Sequence, residues 1–239
     1  MTDQPLGTVL SVWAHPDDET SLAGGLMAAA VDRGSRVVCV TATRGELGSS
    51  DEQRWPSGEP LAALRTQELA DALSVLGITE HHWLDYPDGG CAAIDEDEAV
   101  ARLRELVEEV RPDTVLTFGP EGMTGHDDHK TVCRWTMKAT AGSAATVHWA
   151  TQSPEWLAQY GPTLEELGAF MDGAQPPVTP VVDMTVFVRL EGEELDRKVR
   201  SMLEQESQIQ PLIAATSLEF FRTAVAEESF RRADPAELG

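Results

Sequence analysis

Two clusters of histidines and carboxylates follow hydrophobic segments of the sequence. The first, His-Pro-Asp-Asp-Glu at 15–19, comes directly after the apolar run 7–14. The second, His-Asp-Asp-His at 126–129, comes after the run 113–119 and a short glycine-rich loop. Imidazoles and carboxylates at the end of a buried strand are costly to desolvate unless something pairs with them, and a bound cation would do so. The two clusters therefore predict a metal site.

The two clusters together indicate a metal site more specifically than either cluster does alone. An isolated His-x-x-His pair is more often a surface or core feature, and acidic residues also favour a helix N-terminus. Two histidines and a carboxylate that converge, with positions left for water, are the ligand set of a catalytic zinc site. Such an ion polarises a carbonyl and acidifies water, while a neighbouring carboxylate acts as general base and a spare histidine stabilises an oxyanion. Spacing alone does not decide which of Asp17 and Asp18 binds metal.

The elements that must position these clusters alternate between strand and helix. We predict buried strands at 7–14, 35–43, 81–85, 113–119 and 145–151, with helices between them. This alternation predicts an α/β fold, a Rossmann-like three-layer αβα arrangement with a mostly parallel sheet. Ligands of such sheets bind beyond the carboxyl ends of the strands, so both clusters should lie at one sheet edge.

The second half of the chain is less regular. We predict a strand over 181–190 and helices over 191–208 and 217–233. With no clear boundary, the chain is predicted to be one domain over 1–239, with a catalytic core at about 7–210 and a helical tail at about 211–239. The polar, glycine-rich loop 44–60 is long enough to suggest a functional loop.

The composition excludes several classes of partner. The chain has 41 acidic and 18 basic residues and a formal net charge of -23, which disfavours nucleic acid and anionic membrane surfaces. No apolar run is long enough to span a membrane, and the N-terminus has no signal-peptide pattern. Three scattered cysteines without a Cys-x-x-Cys motif suit a reducing compartment, so we expect a cytoplasmic protein.

The motifs resemble those of the PIG-L/LmbE-like zinc-dependent N-deacetylases, a family that includes the mycothiol-pathway deacetylase and the GlcNAc-phosphatidylinositol de-N-acetylase. The family pattern A-H-P-D-D-E is present at 14–19. The pattern G-H-P-D-H appears at 125–129 with Asp127 where proline is usual. Further similarity lies in the segments 43–48, 65–69, 76–77, 86–90 and 207–208. The resemblance thus reaches to about residue 210 and is specific for the family, though not for a substrate.

The resemblance implies roles for the residues of both clusters. One zinc ion per chain, with other divalent metals as alternatives, would be held by His15, Asp18 and His129. Asp17 would be the general base that activates the attacking water. His126 would stabilise the tetrahedral oxyanion or protonate the leaving amine, and Asp128 would orient His126.

The resemblance also implies substrate contacts outside the two clusters. Arg65 and Asp88 would contact sugar hydroxyls or other polar groups, and Glu46 would line the same cleft. Each has a structural alternative, since Arg65 could pair with Glu68 and Asp88 is a common turn residue. Trp55 in the long loop could stack on a sugar or hold the loop in place.

These observations predict a zinc-dependent hydrolase that removes an acetyl or similar acyl group from an amine, on a small-molecule substrate of the N-acetyl amino-sugar type. Two alternatives remain: an amidase acting on thiol conjugates, and a non-catalytic metal-containing protein that binds a carbohydrate. A homo-oligomer is compatible with the sequence, which does not specify the oligomeric state.

Overall fold

Seven strands form one mixed sheet in the computed structural model, which describes residues 6–171 and 173–238. The strands are Val9–Trp13 (β1), Val37–Thr43 (β2), Glu80–Tyr86 (β3), Thr114–Thr117 (β4), Thr146–Ala150 (β5), Val186–Arg189 (β6) and Glu227–Arg232 (β7). Their order across the sheet is β3-β2-β1-β4-β5-β7-β6. Strands β1 to β5 are parallel, and β7 is antiparallel to both of its neighbours.

Helices cover both faces of the sheet. They are Asp18–Asp32 (α1), Glu59–Leu76 (α2), Glu96–Val110 (α3), Asp127–Thr140 (α4), Pro154–Glu166 (α5), Gly192–Leu203 (α6), Glu206–Ala215 (α7) and Leu218–Ala224 (α8). Helices α1, α2 and α6 pack against one another, as do α3 and α4. The predicted three-layer α/β fold is confirmed. None of the helices in the described part of the chain is both long and apolar enough to cross a membrane.

Strand β1 is at the centre of the sheet and is buried at every position. Its sequence is apolar except at Ser11, which is typical of a strand with helices on both faces. It lies between β2 and β4, where the strand order reverses direction. The crevice at such a switch point, beyond the carboxyl ends of the strands, is the usual ligand site of open α/β sheets. Both motif clusters begin there.

The prediction of a helix over 217–233 is wrong in its second half. Helix α8 ends at Ala224, and the chain then forms β7 between β5 and β6. The segment 227–232 is rich in charge, but Glu228 is almost fully buried because Lys198 pairs with it at 2.7 Å. The predicted helical tail therefore contributes a strand to the sheet. The predicted strand 181–190 is also shorter, because Val181–Asp183 forms a 3₁₀ turn before β6.

Two predictions about organisation stay predictions. The expectation of a single domain over 1–239 is one of them. The other is the absence of a signal peptide, which concerns a segment whose residues 1–5 lie outside the described part of the chain.

Two strand histidines predict a loss of stability in acid. Burial lowers the pKa of both His81 and His148 to about 4, and each ring bonds a threonine hydroxyl. The unfolded chain binds these protons at about pH 6.5, so the two neutral rings stabilise the fold above pH 6.5 and this contribution is lost between pH 6.5 and 4. Thermal unfolding followed from pH 8 to 4 should show Tm falling less in the double variant His81→Gln/His148→Gln. An equal fall in both proteins would contradict the assignment.

Candidate metal centre and active site

The turn that joins β1 to α1 is strained at Asp17. Its backbone has φ 110° and ψ -29°, a conformation that residues with a side chain rarely adopt. The turn is held from both sides, because the Asp17 N–H donates to Glu19 Oε2 at 3.0 Å and the Asp17 carbonyl accepts from Ser21 N at 2.9 Å. Strain of this kind persists where surrounding bonds over-determine the conformation, and it concentrates at functional sites.

The three predicted metal ligands meet at one point. His15 Nδ1 lies 3.1 Å from His129 Nε2, and the Asp18 carboxylate oxygens lie 3.7 Å from the former and 3.5 Å from the latter. All three residues are buried. Ligand atoms bound tetrahedrally to zinc at about 2.0–2.1 Å are separated by about 3.3 Å. The two nitrogens therefore have the spacing of ligands to one metal ion, and a different Asp18 oxygen faces each of them. His126 offers a third ring nitrogen within 4.8 Å of both.

The hydrogen bonds of the two histidine rings also fit a cation. His129 Nδ1 donates to the Gly122 carbonyl at 2.9 Å, so its Nε2 presents a lone pair to His15. On the other ring, His15 Nε2 lies 3.1 Å from Asp88 Oδ1 and 3.3 Å from Asp128 Oδ2. The remaining ring nitrogen of His15, Nδ1, therefore faces His129 Nε2. Two nitrogen lone pairs at this distance repel each other unless a proton or a metal lies between them. In metal sites, the ring nitrogen of a histidine that does not bind the metal usually bonds a carboxylate or a carbonyl in this way, which orients the ring.

The surrounding carboxylates favour positive charge on His15. Burial alone would lower the pKa of His15, but the hydrogen bonds to Asp128 and Asp88 and the charge of Asp18 outweigh it and raise the pKa to about 10. Burial and the neighbouring His15 hold the pKa of His129 well below its usual range. Without metal, one proton on His15 thus occupies the space between the two rings.

Zinc binding is therefore expected to release about one proton from His15 near pH 7, since the metal and the proton compete for the same lone pair. The apparent zinc affinity should rise up to about tenfold per pH unit below the His15 pKa. Calorimetric titration of the metal-free protein in buffers of different ionisation enthalpy measures the protons released. Zinc binding without proton release between pH 6 and 8 would be inconsistent with this arrangement.

Asp17 and His126 flank the ligand set from different elements. Arg65 Nη2 donates to Asp17 Oδ2 at 3.2 Å. Desolvation raises the pKa of Asp17 to about 7, against the opposing charge of Arg65. His126 is the N-cap of α4, and its Nδ1 accepts from Asp128 N at 3.2 Å, so the ring carries its proton on Nε2. A carboxyl group with a pKa near neutrality suits a general base, and an imidazole N–H suits an oxyanion donor.

Comparison with known proteins identifies the family. The family model described as PIG-L, GlcNAc-PI de-N-acetylase, matches residues 10–140. This chain belongs to that family. It is therefore a hydrolase of the N-deacetylase class, as the sequence predicted. The match contains both motif clusters and ends with α4, so residues beyond 140 lie outside the matched segment.

Individual relatives agree with the family assignment. A 1D-myo-inositol 2-acetamido-2-deoxy-alpha-D-glucopyranoside deacetylase of Kineococcus radiotolerans is 32% identical over 255 residues, covering 89% of this chain and 68% of the relative. One of the same name from Streptomyces scabiei is 37% identical over 167 residues, 59% of this chain and 51% of the relative. The solved structure of N,N'-diacetylchitobiose deacetylase from Pyrococcus horikoshii has a TM-score of 0.63 at 22% identity, covering 98% of this chain and 87% of that one. The structural likeness supports the PIG-L fold.

Asp128 does not orient His126 through its side chain, contrary to the prediction. Its carboxylate is fully buried and accepts from Gly89 N at 2.8 Å and Cys91 N at 3.0 Å. It faces His15 Nε2 at 3.3 Å. Burial alone would raise the pKa of Asp128, but these hydrogen bonds outweigh burial and lower it. Asp128 therefore orients the predicted metal ligand His15, and only its backbone N–H contacts His126.

Arg65 supports the strained turn rather than an open substrate surface. It is 3% exposed, and besides Asp17 it donates to the carbonyl oxygens of Gly45 and Pro16. The alternative pairing with Glu68 is wrong, because the Glu68 carboxylate accepts from the Ser207 N–H and hydroxyl at 2.8 and 2.6 Å. Arg65 still reaches the cavity wall. A direct substrate contact stays a prediction.

The loop residues have similar supporting roles. Asp88 lines the cavity, pairs with His15 and accepts from Leu47 N. Burial alone would raise the pKa of Asp88, but the bond from His15 lowers it to about 2. Glu46 accepts from Asp88 N at 2.9 Å, so it supports a residue that lines the cavity, and its own place in the cleft stays a prediction. Trp55 is buried, with the Arg54 guanidinium 4.3 Å from its ring, which favours the prediction that it holds the loop in place.

Two glutamines that sequence analysis missed join the site. Gln205 accepts from the Thr20 hydroxyl at 2.6 Å and donates to Glu19 Oε1 at 2.7 Å, which ties α1 to the start of α7. Gln152 lines the cavity, and its buried Oε1 has no hydrogen-bond partner within the described residues. Neither residue stands in a motif, so no signal in the sequence marked them.

A cavity of about 650 Å³ opens directly onto the metal centre. His15, Asp17, Asp18, His126 and His129 form one wall. Helices α5, α7 and α8 and the segment 169–171 contribute further lining residues. Its volume is within the range of small-molecule sites.

Proposed function

We propose that this protein hydrolyses the amide of an N-acylated amino sugar with one divalent metal ion, zinc, held by His15, Asp18 and His129. The observation that carries the proposal is the approach of His15 Nδ1 and His129 Nε2 to 3.1 Å beside the cavity, with Asp18 Oδ2 3.7 Å from the first and Asp18 Oδ1 3.5 Å from the second. Asp17 and His126 line the same cavity beside them. A protein that only binds a ligand would need neither group.

The chain's own residues supply the proton transfers and the charge stabilisation. A zinc ion at this site would polarise the amide carbonyl and make water more acidic. Asp17 takes a proton from the attacking water, and Arg65 holds the carboxylate toward the cavity. His126 donates from Nε2 to the oxygen as negative charge develops on it. When the C–N bond breaks, the proton held by Asp17 passes to the leaving amine.

The amino-sugar part of the proposal is supported by the relatives. The named relatives act on inositol-linked 2-acetamido-2-deoxyglucose and on diacetylchitobiose. We also propose a cytoplasmic location, supported by the buried, unpaired state of Cys39, Cys91 and Cys133.

Metal content and amine release test the proposal together. Purified protein should contain one zinc per chain by elemental analysis and release amine from N-acetylglucosamine glycosides only in the metal-loaded form. Chelation should remove the activity, and added zinc should restore it. Protein that neither retains nor takes up metal would show that His15, Asp18 and His129 do not form the site.

A further inference from the structure

The cavity beside the metal centre is mainly hydrophobic. Its lining includes Leu22 and Met123, which are close in sequence to the motif clusters. It also includes Trp156, Phe170, Leu212 and Phe220 from the second half of the chain. Hydrophobic side chains continue to its rim, where Leu47 is 61% exposed and Met171 44% exposed. Exposed apolar surface that continues a binding cavity marks a place where apolar ligand surface is buried.

Several cavity walls lie outside the segment that the family model matches. Residues 10–140 match the family model and contain every predicted metal ligand and catalytic group. Trp156 is on α5, Leu212 on α7 and Phe220 on α8, all beyond that segment. The reacting groups thus lie within the segment that the family model matches, whereas these hydrophobic walls lie beyond it.

The two polar residues for which the resemblance implies substrate contacts are already hydrogen-bonded within the protein. The Arg65 guanidinium already donates to two carbonyls and to Asp17. Asp88 bonds His15 and Leu47 N. Sugar hydroxyls placed against the hydrophobic walls would lose their hydrogen bonds to water without replacement, which is unfavourable. An alkyl or aryl group placed there would gain from leaving water.

We propose that the physiological substrate carries an alkyl or aryl group, and that the walls formed by α5, α7 and α8 bind this group while the amide lies at the metal centre. This inference rests on the proposed function for the reaction itself. The hydrophobic group belongs either to the acyl part or to the amine part of the amide, and the same walls would serve both.

Matched substrate pairs test the two sources separately. Methyl and octyl 2-acetamido-2-deoxy-β-glucoside differ only on the amine side, and N-acetyl- and N-octanoylglucosamine differ only on the acyl side. Amine release by the zinc-loaded enzyme gives kcat/KM, with octyl compounds kept below their micelle concentration. We expect one octanoyl or octyl compound to exceed its short partner by on the order of 100-fold, because each buried methylene contributes roughly two- to fourfold. Equal values within both pairs would overturn the proposal.

A wall variant tests whether the preference comes from this cavity. Leu212→Asn and, independently, Phe220→Asn should reduce the ratio of long-chain to short-chain kcat/KM at least tenfold. Val182→Asn is the matched control, because Val182 is 89% exposed and does not line the cavity. It should leave the ratio unchanged. A ratio that both wall variants retain would also overturn the proposal.

A binding measurement separates this proposal from the proposed function. Octyl β-glucoside has no amide, so its binding does not depend on catalysis. Calorimetry should show binding with a negative heat-capacity change, weakened at least tenfold by Leu212→Asn. If no amide is hydrolysed but octyl glucoside binds in this way, the proposed function fails and the hydrophobic site stands. If amides are hydrolysed but octyl glucoside does not bind, the hydrophobic site fails alone.

Discussion

Asp17→Asn is expected to lower kcat/KM by about two to four orders of magnitude while the protein keeps one zinc per chain. The amide of asparagine retains an acceptor for Arg65, so the strained turn should persist, but it cannot take a proton from water. Steady-state amine release and elemental analysis on the same preparation measure both quantities.

The neighbouring carboxylate provides the matched control. Asp18→Asn removes a predicted ligand instead of the base, so it should lose metal as well as activity. The two residues are adjacent, and only their contacts distinguish them: Asp18 faces both histidine rings, whereas Asp17 bonds Arg65. If Asp17→Asn lost zinc, or Asp18→Asn kept it at wild-type affinity, the assignment of base and ligand would be reversed.

The second large effect is expected on stability, at the buried pair Lys198–Glu228. Both side chains are fully buried, with their charged atoms 2.7 Å apart. Glu228 also accepts from Gly25 N and Leu26 N, and Lys198 donates to the Ser21 carbonyl, so the pair joins α6 and β7 to the middle of α1. Lys198→Met should therefore lower the free energy of unfolding by about 3–5 kcal/mol, because it leaves a buried carboxylate without its cation.

A double variant and an exposed pair make this prediction specific. Lys198→Met/Glu228→Gln removes both charges and keeps an acceptor for the α1 backbone, so it should recover part of the loss. Arg36→Met breaks the half-exposed Arg36–Glu80 pair and should cost much less, because solvent screens the attraction between exposed charges. Urea unfolding gives all three values. A cost below about 1 kcal/mol for Lys198→Met would show that the ion pair does not stabilise the fold.

The sequence by itself determined the fold class and the position of the chemistry. Hydrophobic runs such as 7–14 and 113–119, separated by helical segments, are sufficient to predict a parallel sheet, because buried parallel strands need covering on both faces. Parallel strands end at one edge, so the clusters at 15–19 and 126–129 had to approach each other there. These inferences depend on local periodicity and on topology, which the sequence encodes directly.

Only the tertiary structure decided which partner each polar side chain takes. Asp128 bonds His15, Arg65 supports Asp17, and Gln205 reaches Glu19 across 186 positions of sequence. Glu228 can lie in a buried strand because Lys198 neutralises its charge. The sequence pattern does not show this pairing, so the charged segment was predicted to be helical. Each pairing requires two atoms to approach to about 3 Å, and the two residues lie on elements far apart in sequence, so local sequence periodicity does not predict it. A buried polar group bonds the partner that tertiary packing places next to it.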